Sequence, residues 1–268
     1  MKLWLFGDSF ASPPKKEKST SVFLRDHESW VTKLPKELGV EFENYAVSGS
    51  SVEHSVEFFY DAMPNFKYGD CVIFCMTNTA RKKLFDYPEK ISNVVAAKRN
   101  PDIVSKERLE FLEYYFKYFF NHMVEKRNQV NFIHALDNFS TIIGLKVLLI
   151  NAFPPTTLQN PHPPRNISVS SGSLYDISIA ENINHNNNLC FVPDFRTNHL
   201  SPINHEIFLK KLLDFFNHDI PVSLPPEEFV SGIYDLSGYV DDETGNLIKL
   251  NEDDIEKFKK IYENRIVR

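Results

Sequence analysis

Four short blocks carry the residues able to do chemistry. The first is Gly7-Asp8-Ser9, directly after the apolar run Leu3–Phe6. A glycine there permits a tight turn that a residue with a Cβ would resist. Asp8 and Ser9 are thereby set at the carboxyl end of a first strand, the edge at which open α/β sheets build ligand sites. Three readings fit the block: a backbone cradle for phosphate, a serine nucleophile, or an ordinary βα turn without chemistry. The second block, ENYAVSGSSVEHS (Glu43–Ser55), ends a strand near Ala46 and turns at Gly49 before a helix-like Val52–Phe59. Unpaired backbone N–H groups at such a turn can hold a negative oxygen, and Ser50 or Ser51 can cap the helix. The third block, Asp70–Phe85, runs a buried-type strand into Thr77-Asn78. A side-chain amide at that strand end offers two donors to a developing oxyanion. The fourth, Asp194–Phe216, holds Ser201-Pro202, a helix cap followed by proline at the first helical position. His199, in the loop before that helix, is placed to act as a general base. His205, inside the helix, reads as structural.

The elements that must position these blocks follow from hydrophobic patterning. Strand-like runs occur at Lys2–Phe6, Phe42–Ala46, Cys71–Met76, Lys146–Asn151 and, more weakly, Leu189–Val192. Helical spacing lies between them: Trp30 to Leu38 with Gly39 as a stop, one long helix over Lys106–Lys126, and another over Gln129–Ile143 closed by Gly144. In the fourth block Ile203, Ile207, Leu209, Leu213 and Phe216 mark the expected buried face. Strands alternating with helices predict a mostly parallel sheet with helices on both faces. Leu109, Leu112, Tyr115, Phe116, Phe119 and Met123 form an apolar stripe, read either as core packing or as an aromatic lid or partner surface. The Pro-, Asn- and Ser-rich stretch from Pro154 to Asn188 reads as a functional rim. Pro221–Pro226 reads as a linker between a domain over residues 1–220 and an extension over 221–268 that ends in a charged helix, Glu252–Asn264.

GDS after the first strand, N-x-A-x-x-G-x-S after the second, Asn after the next, and HLSP near the end together resemble the SGNH hydrolases, also called GDSL-like hydrolases. The blocks span Gly7 to His205, about three-quarters of the chain. The resemblance implies a three-layer α/β/α sandwich of flavodoxin-like kind. It implies Ser9 as nucleophile, His199 as base, and Gly49 and Asn78 as oxyanion donors beside the Ser9 amide. The implied activity is that of a serine esterase, acting on a small-molecule or carbohydrate ester (an O-acetyl group, for instance) without metal or other cofactor. Two departures stand out. Met76-Thr77 precede Asn78 where the family has glycine two residues before its asparagine. Arg196 occupies the position, three before the histidine, where the family has aspartate. Asp194 is then the candidate third member, if a bend over Phe195–Asn198 returns it to the ring; a backbone carbonyl in its place would leave a dyad. Asp8, Arg81 and Arg196 are the charged residues expected to contact substrate. An acyltransferase, or a module that binds a glycan or partner without turnover, are the alternatives. A nucleotide-binding flavodoxin-like protein ranks third, since Gly7-Asp8-Ser9 lacks a glycine-rich phosphate loop.

Bulk properties narrow the classes further. The 268 residues suffice for a full core, and the 42% hydrophobic and 25% charged fractions are those of globular domains. A net charge of −6 argues against a chain built to neutralise nucleic-acid backbones. The 23 Phe and 11 Tyr are enough to furnish a core and line an apolar pocket as well. Gly7-Asp8 cuts the first apolar run too short for a secretory core, and no stretch approaches the ~18 apolar residues of a membrane span. A cytoplasmic location is the expectation. Cys71, Cys75 and Cys190 are odd in number and sit in strand-like contexts, so they read as buried thiols; no Cys/His spacing supports a metal site.

Overall fold

The computed structural model describes residues 1–13, 29–83, 104–154, 163–183, 189–193, 197–200, 202–229, 233–235, 238–240 and 247–249. Asp194, Arg196, Ser201 and the tail helix expected over Glu252–Asn264 lie outside them.

Apolar runs able to be covered on both faces become the centre of an all-parallel sheet. Its strands are β1 (Lys2–Phe6), β2 (Glu41–Asn44), β3 (Cys71–Met76), β4 (Lys146–Asn151) and β5 (Ser168–Val169). They are ordered β2-β1-β3-β4-β5. Alternate residues leave to opposite faces. Leu3, Leu5, Ile73, Cys75, Leu148 and Ile150 share one core cluster with Trp30 and Leu34 of α1 (Trp30–Leu38) and Phe208 and Leu212 of a later helix, Pro202–His218. Trp4, Phe6, Val72, Phe74, Val147 and Leu149 share the other with Phe59 of α2 (Val52–Ala62) and Phe132 and Leu136 of a helix at His122–Ile143. The result is an α/β/α sandwich. Aromatic rings dominate the second face, with Phe6 against Phe59 at 5.5 Å and Phe74 against Phe132 at 4.9 Å between centroids. Each such ring, fully buried, contributes about 1.5–3 kcal/mol through its area alone.

Four expectations are corrected. The long helix over Lys106–Lys126 is two helices, α3 (Lys106–Tyr118) and α4 (His122–Ile143). They are separated where the Asn121 side chain accepts from the N–H groups of Met123 and Val124. Most of the apolar stripe is not core: of its six residues only Leu112 is buried, Leu109, Tyr115 and Phe116 are partly exposed, and Phe119 and Met123 are exposed. After the short α5 (Leu174–Ile177), α6 (Pro202–His218) buries Phe208, Leu209, Leu212 and Phe215, and Ile203 is exposed. Pro221–Pro226 is packed rather than loose. Val222 and Leu224 are buried in the first core cluster, and Ser171 donates its N–H to Val222 O and accepts the Leu224 N–H, a parallel bridge that extends the β5 edge.

Leu189–Pro193 (β7) does not join the parallel sheet. It pairs antiparallel with β6 (Ile179–Ile183) in a second sheet ordered β10-β9-β8-β6-β7, with β8 (Ile233–Asp235), β9 (Gly238–Val240) and β10 (Leu247–Lys249) from the tail. That sheet takes strands from both sides of residue 220. Among the described residues no helix is long and apolar enough to cross a membrane.

Candidate active site

The loop after β1 is the hub on which the other three blocks converge. It begins at Gly7, whose φ of +146° is open only to glycine; a Cβ there would stand 2.6 Å from Cys75 Cβ and 2.9 Å from Cys75 O on β3. The Gly7 carbonyl accepts the Val47 N–H at 2.9 Å and the Ser50 hydroxyl at 3.0 Å, which fastens the second block. Next, Asp8 turns the chain: its Oδ1 accepts the Phe10 N–H at 3.1 Å and its carbonyl the Ala11 N–H at 3.0 Å. Asp8 Oδ2 accepts the Thr77 hydroxyl at 2.6 Å and Arg81 Nη1 at 3.0 Å, which fastens the third block. The fourth is held through Asn198, whose Nδ2 donates to the carbonyls of Ser9 and Ser12, both at 3.0 Å. Its Oδ1 accepts the Ser29 hydroxyl.

These fastenings bring Ser9 and His199 together. Ser9 Oγ lies 2.8 Å from His199 Nε2, a hydrogen-bond distance between a hydroxyl and an imidazole nitrogen. The imidazole also packs on Phe10, 4.7 Å between ring centres. Asn198 and His199 both have positive φ, +52° and +62°. Two successive left-handed residues in a non-glycine pair are costly and are kept only where surrounding bonds over-determine them. Asn198, 6% exposed and triply bonded, supplies those bonds.

The expected oxyanion donors lie in the loops at the same sheet edge. Gly49 is the third residue of a turn closed by Ser50 N–H to Val47 O at 3.0 Å, with φ +80°, the type II value that favours glycine. Asn78 Oδ1 accepts the Ala80 N–H at 2.7 Å, which orients the amide and leaves Nδ2 without a partner among the described residues. Gln129 of α4 donates to Thr77 O at 3.1 Å and steadies the residue beside it.

The charged residues divide. Asp8 is fully buried, so it braces the loops and has no surface to offer a substrate, contrary to the sequence expectation. Arg81 pairs with it and stacks on Phe153, 4.9 Å from the ring centre, joining the loops after β1, β3 and β4. Arg196 and the third-member candidate Asp194 are outside the described residues. His205 is buried, its Nδ1 accepting the Trp30 N–H at 3.2 Å, which joins α6 to the first turn of α1 as a structural histidine would. Burial pushes the Cys75 thiol well above its ordinary pKa, and Cys71 up to about 11, so neither is poised as a nucleophile at neutral pH.

Asn198 is the residue that sequence reading missed. Its one local signal is its type, since asparagine tolerates left-handed backbone better than other residues with a Cβ.

No protein-family model matches the sequence, and no curated protein matches it. Among solved structures the chain is similar to TesA, with 16% identity, 58% of this chain and 63% of that chain covered, and a TM-score of 0.29. The chain thus spans less than two-thirds of that protein's length, and at so slight a likeness the functional reading rests on this chain's own geometry.

Proposed function

We propose that the protein is a serine esterase of the SGNH kind that hydrolyses a carboxylic ester through an acyl-enzyme on Ser9. The observation that carries this is the 2.8 Å contact between Ser9 Oγ and His199 Nε2 at the carboxyl edge of an all-parallel sheet. A serine hydroxyl becomes an effective nucleophile only as a base takes its proton. In this reading Oγ attacks the ester carbon while Nε2 receives that proton. The carbonyl π pair moves to oxygen, and the resulting oxyanion is held by the Ser9 and Gly49 N–H groups and Asn78 Nδ2. Collapse expels the alcohol, which takes the proton back from Nε2. A water, activated by the same nitrogen, then releases the acid and restores Ser9.

Arg196, in place of the family's aspartate, favours one further reading: a module of the same fold that binds an ester or glycan with little turnover. Hydrolysis of 4-nitrophenyl acetate separates the two. The esterase reading expects turnover by wild type and a loss of at least about 1,000-fold in Ser9→Ala and in His199→Ala. Wild-type turnover equal to that of Ser9→Ala would remove it.

A further inference from the structure

Helix α3 carries large rings on the side that faces away from the core. Leu112 is its one buried residue, and Tyr114 and Tyr118, one turn apart on the opposite side, are 56% and 58% exposed. Their rings lie 4.6 Å apart between centroids, and Phe119, 66% exposed, lies 5.8 Å from Tyr114. Met123 and Val124, each 48% exposed, follow in the first turn of α4. A whole aromatic side chain presents about 150–250 Å2, so these five fractions leave roughly 500 Å2 of apolar surface. The largest patch on a typical monomer is about 300–600 Å2, and patches of that size are often interaction sites.

The charges around the patch indicate what can cover it. α3 sets Lys106, Arg108 and Lys117 against Glu107, Glu110 and Glu113, with no net charge. Helices that lie on membranes have Lys- and Arg-rich polar faces, and nucleic acid calls for the same excess, which is missing here. A strongly charged protein partner would find no complementary field. A second copy of the chain fits better. The chain as a whole carries −6, so two copies repel, and a neutral face is where they can approach at least cost. A two-fold axis perpendicular to α3 sets the two helices antiparallel, with their dipoles favourably opposed. The area agrees. Two such patches remove about 1,000 Å2 of apolar surface, which at the ~60% apolar share of protein interfaces means a total near 1,700 Å2. Stable pairs bury about 1,200–2,000 Å2.

We propose that the exposed aromatic face of α3 and the first turn of α4 is a homodimer interface, in which Tyr114, Tyr118 and Phe119 of each copy pack against the other. Each substitution enters such an interface twice. Tyr118→Lys and Phe119→Lys place like charges across the axis, while a cation at a helix C-terminus suits the dipole and spares the helix. Tyr68→Lys is the control. Tyr68 is 88% exposed and lies beside Gly144, at the other end of the 22-residue α4, about 33 Å along that helix from the patch. Sedimentation velocity from about 1 to 200 µM is expected to show wild type passing from the 31.1 kDa chain to twice that mass. Its thermal midpoint is expected to rise with concentration. Both α3 variants are expected to dimerise at least tenfold more weakly with unchanged far-UV circular dichroism, and Tyr68→Lys to match wild type. A wild type that stays monomeric throughout, or a dimer left as tight by Tyr118→Lys and Phe119→Lys, would overturn the interface. So would a Tyr68→Lys protein weakened as much as they are. A monomer that instead sediments with phosphatidylcholine vesicles, and loses this in Tyr118→Lys, would assign the face to a membrane surface and overturn the dimer.

Discussion

Replacing Asn198 isolates what holds His199 against Ser9. Its side chain makes three hydrogen bonds in a buried setting, to Ser9 O, Ser12 O and the Ser29 hydroxyl. At a net of about 0.5–1.5 kcal/mol each, their loss is worth roughly 2–4 kcal/mol, and more if the Ser9 carbonyl stays dry and unpaired. Asn198→Gly removes the bonds while leaving φ +52° free of strain. Asn198→Ala removes the same bonds and adds about 1 kcal/mol for a Cβ in the left-handed region. Asn198→Asp keeps the acceptor for Ser29 but turns a carboxylate oxygen toward two carbonyls, so it falls at or below the glycine variant. Urea unfolding gives the stabilities. The rate of 4-nitrophenyl acetate turnover, taken where each variant is fully folded, gives the reactivity of Ser9. A nucleophile loop displaced by about 1 Å loses roughly 100-fold in rate. A glycine variant within about 0.5 kcal/mol of wild type, with unchanged turnover, would refute the argument that Asn198 joins the two loops.

Gly7→Ala combines a disallowed φ with contacts of 2.6 and 2.9 Å to Cys75, so it should destabilise by roughly 2–6 kcal/mol, read from the urea midpoint. Asp137 should matter in a pH-dependent way. Burial pushes its carboxyl up, but the backbone N–H groups of Asn166, Arg165 and Ile167 outweigh this and hold it below the usual carboxylate range. A pKa depressed by folding stabilises above the unfolded value near 4, and that contribution fades as pH falls through the folded value. Asp137→Asn should therefore cost about 1–3 kcal/mol at pH 7, and the gap should narrow on acidification towards pH 3; a gap constant across that range would contradict it.

The parts of this fold legible in the sequence are those written in side-chain pattern. Leu3–Phe6, Cys71–Met76 and Lys146–Asn151 announce central strands because both their faces must be apolar. Strand β5 is only Ser168–Val169, paired through backbone, with the Asn151 N–H donating to Ser170 Oγ at 3.0 Å; no hydrophobic period could mark it. The break between α3 and α4 was hidden because Phe119 and Met123 continue the spacing, although Asn121 is a good cap. Leu189–Pro193 has strand-like composition, but composition does not say which partner a strand will choose. At the candidate site, residue type and place in the chain single out Ser9 and His199. The bonds that bring them to 2.8 Å run through Asn198 and the carbonyl of Ser9, which carry no sequence pattern.

The most direct test of the account is covalent labelling of the folded protein with a fluorophosphonate, followed by peptide mapping. The account predicts one adduct per chain, on Ser9, absent in Ser9→Ala and formed at least about 100-fold more slowly in His199→Ala, where the base is gone. An unlabelled wild-type protein, or an adduct that persists in Ser9→Ala, would contradict it.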